Sequence, residues 1–304
     1  MFALVTGGAG FIGSHSVEAL LASGARVRVL DNLSSGYREY LPVHANLEFV
    51  EGDVRDAACV AQCMQGITHV LHLAAQVSVP VSVQQPVFSN AVNIAGFLNV
   101  LDAARQAGVQ RMVYASSAAV YGVPVELPLS EASPTSALSP YGLEKLVNDQ
   151  YASLYGGLYD FSAMGLRYFN VYGPRQDPSS PYSGVISKFA SWAQQQQGFT
   201  VFGDGSQTRD FIFVKDVARA NVAALNSTAR GVVNVATGRS VTLMEMIATF
   251  AACVGREIPV THAAARVGDV PYSAVTPTRM QQELGIQNTV QLQDGLSQLL
   301  ASLA

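Results

Sequence analysis

Tyr141 and Lys145 stand four residues apart in Tyr141-Gly142-Leu143-Glu144-Lys145. On a helix, that spacing puts the two side chains on one face. A free phenol holds its proton up to a pH of about 10. An ammonium group beside it favours the phenolate and draws that value down. Such a pair can serve as a general base near neutral pH. The spacing alone is common, and its weight comes from Ser116-Ser117. These residues close an apolar run, with Ser117 24 residues before Tyr141.

A second group of residues suits phosphate. Gly7-Gly8-Ala9-Gly10-Phe11-Ile12-Gly13 reads G-x-x-G-x-x-G and lies between an apolar run and a helical pattern. Glycines there allow a tight turn and let backbone N–H groups at a helix N-terminus approach a pyrophosphate. Asp31 ends the next apolar run, 18 residues past Gly13. Its carboxylate can accept both hydroxyls of a ribose and would repel a 2′-phosphate, which favours NAD over NADP. Asp53, in Gly52-Asp53-Val54, ends a third run, where an acid could meet an adenine amino group. As a turn-former, Asp53 also needs no ligand. Leu73-Ala74-Ala75 ends a fourth run with small residues that would let a cofactor lie against the backbone. The positive nicotinamide ring would add to the pull of Lys145 on Tyr141.

These residues need a scaffold that brings strand ends together. Short apolar runs at Phe2–Thr6, Val27–Asp31, Leu47–Val50, His69–Leu73, Arg111–Ser116 and Ala163–Arg167 each fit a buried strand. Helical patterns alternate with them, at Ile12–Ser23 before Gly24 and at Ala91–Ala107 before Gly108. Strand–helix–strand repetition predicts an α/β fold with a doubly wound parallel sheet of Rossmann type. The alternation stops after Asn170. We expect a strand at Phe211–Val214, a helix at Asp216–Leu225, a strand at Val232–Val235 and a helix from Thr242. Thr242 and Glu245 have capping-box spacing, and Gly255 would end that helix. The expected division is a dinucleotide-binding domain over 1–170, receiving a strand and helix from about 207–235, and a smaller lobe mainly over 171–304.

Bulk composition agrees with a core-rich globular chain. Of 304 residues, 49% are hydrophobic and 13% charged, with a formal net charge of −4. No Lys/Arg run suggests a nucleic-acid partner. Apolar stretches are broken within about ten residues, too short to span a bilayer, and no basic and apolar leader precedes Phe2. Cys59, Cys63 and Cys253 have no metal-site spacing and read as core residues. The expected location is the cytoplasm.

Taken together, Thr6 to Gly13, Asp31-Asn32, Gly52-Asp53, Ser116 to Gly122 and Tyr141 with Lys145 resemble the extended short-chain dehydrogenase/reductase superfamily along essentially the whole chain. The resemblance implies that Ser117 binds the reacting hydroxyl, Tyr141 is the acid/base, and Lys145 holds the nicotinamide ribose. It implies an NAD site of Gly7, Gly10, Phe11, Ile12, Gly13, Asp31, Asn32, Asp53, Val54, Leu73, Ala74, Ala75, Tyr141, Lys145 and Tyr168.

Within that superfamily, nucleotide-sugar dehydratases carry an Asp–Glu pair directly after the Ser/Thr position. This chain has Ala118 and Ala119 there. No acid is left for an elimination, which points to oxidation and re-reduction at one carbon: C4 epimerisation. By the same resemblance Asn170 would contact a diphosphate, and Thr200 and Phe202 would flank uracil. Arg209, with Arg266 and Asp269, would clamp diphosphate and ribose, a task suited to the guanidinium fork.

Similar UDP-glucose epimerases carry a bulky Tyr two residues after the Pro of Gly-Asp-x-Pro. Here Gly268-Asp269-Val270-Pro271 is followed by Tyr272 and then Ser273 in that place. A small Ser273, and the segment around Val185, resemble epimerases of UDP-N-acetylhexosamines that supply polysaccharide biosynthesis. A one-residue shift would put Tyr272 at the gate instead. The expectation is UDP-GlcNAc to UDP-GalNAc, with a UDP-glucose/UDP-galactose or dual-specificity epimerase as the alternative and a silent NAD-binding scaffold as the remote one. The resemblance also implies a homodimer joined by a four-helix bundle.

Overall fold

The computed structural model describes residues 1–177, 185–264 and 271–303. Its strands are β1 Phe2–Thr6, β2 Arg26–Asp31, β3 Leu47–Glu51, β4 His69–His72, β5 Arg111–Ser117 and β6 Ala163–Tyr168. They continue as β7 Asn170–Tyr172, β8 Phe199–Phe202, β9 Thr208–Phe213, β10 Gly231–Val235, β11 Ser240–Thr242 and β12 Val260–Ala263.

The central sheet has seven strands in the order β10-β6-β5-β4-β1-β2-β3. Every pairing in it is parallel. Parallel neighbours require crossovers, and helices on both faces supply them. Strands β1, β4 and β6 are buried almost throughout, as a sheet covered on two sides demands. One face is packed by the helices Phe11–Ala22 and Val214–Asn226, through Val17, Leu20, Val217 and Ala220. The other face carries Phe97, Val100, Leu101 and Ala152 from the helices Gly96–Gln106 and Pro140–Tyr159. Strand order turns back between β1 and β4. Crossovers diverge there and leave a crevice at the carboxyl ends of the strands, where ligands bind in such sheets.

The helical run between Pro86 and Gln106 differs from the sequence expectation. It forms a helix at Pro86–Asn90, a π-turn at Ala91–Ala95 and a helix at Gly96–Gln106. At 21 residues, with an 18-residue stretch of mean hydropathy 1.2, it is long and apolar enough to cross a membrane by length and composition. Its Phe97, Val100, Leu101 and Ala104 are instead packed in the protein core. Gly96 does not stop the helix. A Cβ there would fall 2.8 Å from the Val54 side chain, so the glycine serves close packing.

Beyond the sheet, β9 pairs parallel with β7 and antiparallel with β11, and β8 pairs with β12. An aromatic core built on Phe189, Phe199 and Phe250 holds this region, with Phe189 and Phe199 stacked at 4.2 Å. The capping box of Thr242 and Glu245 is present, and Gly255 ends that helix with φ of 67°.

Candidate active site

The glycine turn is built by exclusion. Gly7 has φ of +68°, and a Cβ on it would lie 2.7 Å from the Ala74 backbone nitrogen. The ends of β1 and β4 are therefore pressed together. A Cβ on Gly13 would lie 2.0 Å from the Gly7 carbonyl oxygen, so the helix Phe11–Ala22 sits directly on the turn. Gly10 is the N-cap and provides no side-chain cap. The first turn, with Phe11, Ile12 and Gly13, thus presents backbone donors that an anion can accept.

Asp31 is buried at the end of β2, and its carboxylate faces the turn. Oδ2 accepts from Ala9 N at 2.9 Å and Oδ1 from Leu33 N at 2.8 Å. Asn32 Nδ2 donates to Asp53 Oδ2 at 2.8 Å. Arg55 also grips Asp53, donating from its backbone, Nε and Nη2 at 2.8, 3.0 and 2.7 Å. That grip holds the Asp53 carboxyl well below the usual carboxylate range. Val54 is buried against Gly96. Leu73 N donates to Thr6 O at 3.0 Å, which sets Leu73, Ala74 and Ala75 beside the glycine turn. The uncapped helix, a turn with no room for a Cβ, and a carboxylate at the end of β2 suit a dinucleotide's pyrophosphate and ribose.

Next to this crevice, Ser139 caps the helix Pro140–Tyr159 by accepting from Gly142 N, and Tyr141 N donates to Ser82 Oγ at 3.1 Å. Lys145 Nζ lies 5.9 Å from the centre of the Tyr141 ring and donates to Ala115 O at 2.9 Å. Burial lowers the Lys145 ammonium to about 8. The Tyr141 phenol faces the Ser117 side chain, and Ser117 Oγ accepts from Ala119 N at 3.1 Å. Ser116 faces the other way, toward Asp149, as alternation along a strand requires.

The expected downward pull of Lys145 on Tyr141 is not what dominates here. Burial pushes the phenol above its ordinary value. The polar Ser117 side chain opposes that shift and the Glu144 charge adds to it. An oxidised nicotinamide would add its positive charge to that of the Lys145 ammonium, and both favour the phenolate.

Tyr168 lies opposite Ser117 in the sheet, and its hydroxyl donates to Asn221 Oδ1 at 2.7 Å on the helix Val214–Asn226. Asn170 Nδ2 donates to Asp210 O at 2.8 Å. Arg209 follows on β9, with Nη1 donating to Thr208 O at 2.8 Å. Ser273 N donates to Thr208 Oγ1 at 3.2 Å, so Ser273 and Arg209 share a neighbour. Thr200 and Phe202 share the face of β8 turned away from the buried Phe199 and Val201. Val185 opens the helix Val185–Gln194 in the smaller lobe. Arg266 and Asp269 lie outside the described residues.

Sequence reasoning passed over several buried groups. Asp210 is fully buried. It accepts from Thr237 N and Oγ1, both at 2.9 Å, from Gly238 N at 2.7 Å and from Arg239 N at 3.1 Å. His72, with Nδ1 2.8 Å from Thr6 Oγ1, is driven by burial to about 3 and so is neutral. Glu144 and Asp149 lie on the same helix face as Tyr141 and Lys145, and the three- and four-residue spacing could have found both.

Comparison with known proteins adds an independent line. Residues 3–236 match the family described as the NAD dependent epimerase/dehydratase family. The UDP-glucose 4-epimerase of Mycolicibacterium smegmatis is 40% identical, over 98% of this chain and 96% of that protein. Two solved structures superpose closely. A UDP-N-acetylglucosamine 4-epimerase from Methanobrevibacter ruminantium M1, in complex with UDP-N-acetylmuramic acid, gives a TM-score of 0.95 at 35% identity, covering 99% of this chain and 97% of that one. The UDP-glucose 4-epimerase of Thermus thermophilus, in complex with NAD, gives 0.91 at 41% identity, covering 99% and 98%.

Proposed function

Because the chain belongs to the NAD dependent epimerase/dehydratase family, and is an NAD-dependent UDP-sugar 4-epimerase, we propose that its substrates are UDP-GlcNAc and UDP-GalNAc. The observation that carries this reading is at position 273. Ser273 is half-buried beside Thr208 and Arg209, while the neighbouring Tyr272 is 54% exposed. A small side chain at that position leaves room for an N-acetyl group, and the large ring points to solvent. The UDP-N-acetylglucosamine 4-epimerase of M. ruminantium agrees with it. A second reading, a UDP-glucose/UDP-galactose or dual-specificity epimerase, is favoured by the M. smegmatis and T. thermophilus relatives.

NAD supplies the acceptor and donor of one hydride at sugar C4. Its holders are the glycine turn with Gly7, Gly10 and Gly13, Asp31, the Leu73–Ala75 edge and Lys145. Tyr141 takes the proton of the C4 hydroxyl, which Ser117 orients through a shared hydrogen bond. The 4-keto sugar turns about its bonds to the diphosphate and presents its other face. Tyr141 then returns the proton to the new hydroxyl. By the family resemblance, Arg209 and Arg266 would hold the diphosphate while the hexose turns, and Asn170 and Asp269 would contact the diphosphate and ribose. Thr200 and Phe202 flank the uracil.

The same proposal includes a cytoplasmic homodimer packed through a four-helix bundle. Val87, Phe88, Leu143, Leu154 and Leu158 stand exposed on the helices that would form it, and light scattering on the purified protein reads the mass directly.

Substituting Ser273→Tyr tests the substrate reading. The variant is expected to lose kcat/KM on UDP-GlcNAc by about tenfold or more while UDP-glucose turnover survives, the discrimination a filled pocket gives. Equal effects on both sugars would remove position 273 from the argument.

A further inference from the structure

Glu144 stands between Tyr141 and Lys145 in the sequence, yet it is only 4% exposed. Lying three residues past Tyr141 on one helix, its carboxylate sits one turn from the phenol. A buried carboxylate needs hydrogen bonds or a counter-charge. Glu144 Oε2 accepts from Ser89 Oγ at 2.8 Å and from Asn93 Nδ2 at 2.6 Å.

Asn93 belongs to the π-turn Ala91–Ala95. Such a widened turn shifts a side chain out of the regular helical row and is common at functional sites. Asn93 Oδ1 accepts from Gln76 N at 2.8 Å, and Nδ2 donates to Gln76 O at 2.8 Å. Gln76 directly follows Leu73-Ala74-Ala75, the edge expected to meet the cofactor. Glu144, Asn93 and Gln76 therefore link the helix of Tyr141 to the end of β4.

We propose that Glu144 is a positioning residue for the reaction: through Asn93 it holds the Tyr141 helix in register with the β4 edge, and it places a fixed negative charge beside the Tyr141–Lys145 pair. This inference rests on the reading of Tyr141 as the acid/base group.

The charge has a definite consequence. Besides Glu144, Asp149 faces the pair from the same helix, His72 from β4 and Tyr168 from β6. From the 76–93 segment, the described groups that meet Glu144 and its Asn93 are neutral: Ser89 and Gln76. After burial, the Glu144 charge is a further push upward on the Tyr141 phenol. It also raises the Lys145 ammonium, alongside Asp149 and against burial. Removing the charge lowers both groups.

The test uses the NAD-loaded enzyme and a UDP-sugar across the pH range in which it stays folded. Glu144→Gln keeps an oxygen able to accept from Ser89 and Asn93. Its pH profile of kcat is expected to move to lower pH on both limbs, with KM little changed. Glu144→Asp keeps the charge but shortens the reach. Its limbs should stay at the wild-type positions while kcat falls, by up to about a hundredfold, the scale of loss from a reacting group misplaced by about 1 Å. A Gln profile that superimposes on the wild type overturns the inference. If the Gln variant does not fold, the Asp variant decides: reduced kcat at unmoved limbs supports the role, and unchanged kcat overturns it. A Tyr141→Phe variant run alongside separates the two failures. Full activity there sinks the acid/base reading itself, whereas loss of activity there with an unmoved Gln profile sinks only the role of Glu144.

Discussion

Lys145 Nζ donates to the carbonyl oxygen of Ala115 at 2.9 Å, which pins the ammonium of one helix to β5 two residues before Ser117. That single bond fixes the distance between the helix that carries Tyr141 and the strand that carries Ser117. It also leaves the ammonium where burial lowers it to about 8.

Activity should therefore fall on the alkaline side as Lys145 loses its proton. The sign follows from the role: the charged ammonium favours the Tyr141 phenolate, and that help is present below about 8 and lost above it. Lys145→Met should remove the alkaline limb, move the acidic limb to higher pH and lower kcat by about a hundredfold or more. Rate–pH profiles of both proteins check this. An alkaline limb that persists in the Met variant would assign it to another group.

Gly13→Ala should empty the cofactor site. The new Cβ would sit 2.0 Å from the Gly7 carbonyl oxygen, with rigid backbone on both sides. Overpacking of this kind costs roughly 1–3 kcal/mol, and the strain falls on the turn expected to meet the pyrophosphate. The purified variant should carry far less NAD than the wild type when the cofactor is released and measured by absorbance. Full retention of NAD would show that the turn does not hold it.

The alternation of runs such as Phe2–Thr6 and Ala163–Arg167 with helical patterns made the parallel sheet legible, because buried parallel strands are nearly continuous apolar stretches. The Thr242–Glu245 box and Gly255 were legible because caps are local chemistry. The π-turn at Ala91–Ala95 was not, since its apolar spacing reads as ordinary helix and its cause is tertiary: Asn93 is held by both Glu144 and Gln76. Asp210 was hidden for a similar reason. The four donors to its carboxylate come from Thr237, Gly238 and Arg239, far along the chain. The upward push of burial on Tyr141 was not legible, because sequence shows the neighbouring charge but not the burial.

The most direct test of the account is incubation of the purified enzyme with UDP-GlcNAc and, separately, with UDP-glucose, followed by NMR of the sugar anomeric signals. The account predicts UDP-GalNAc, formed well ahead of any UDP-galactose. UDP-galactose formed faster, or no C4 epimer from either sugar with NAD still bound, would contradict it.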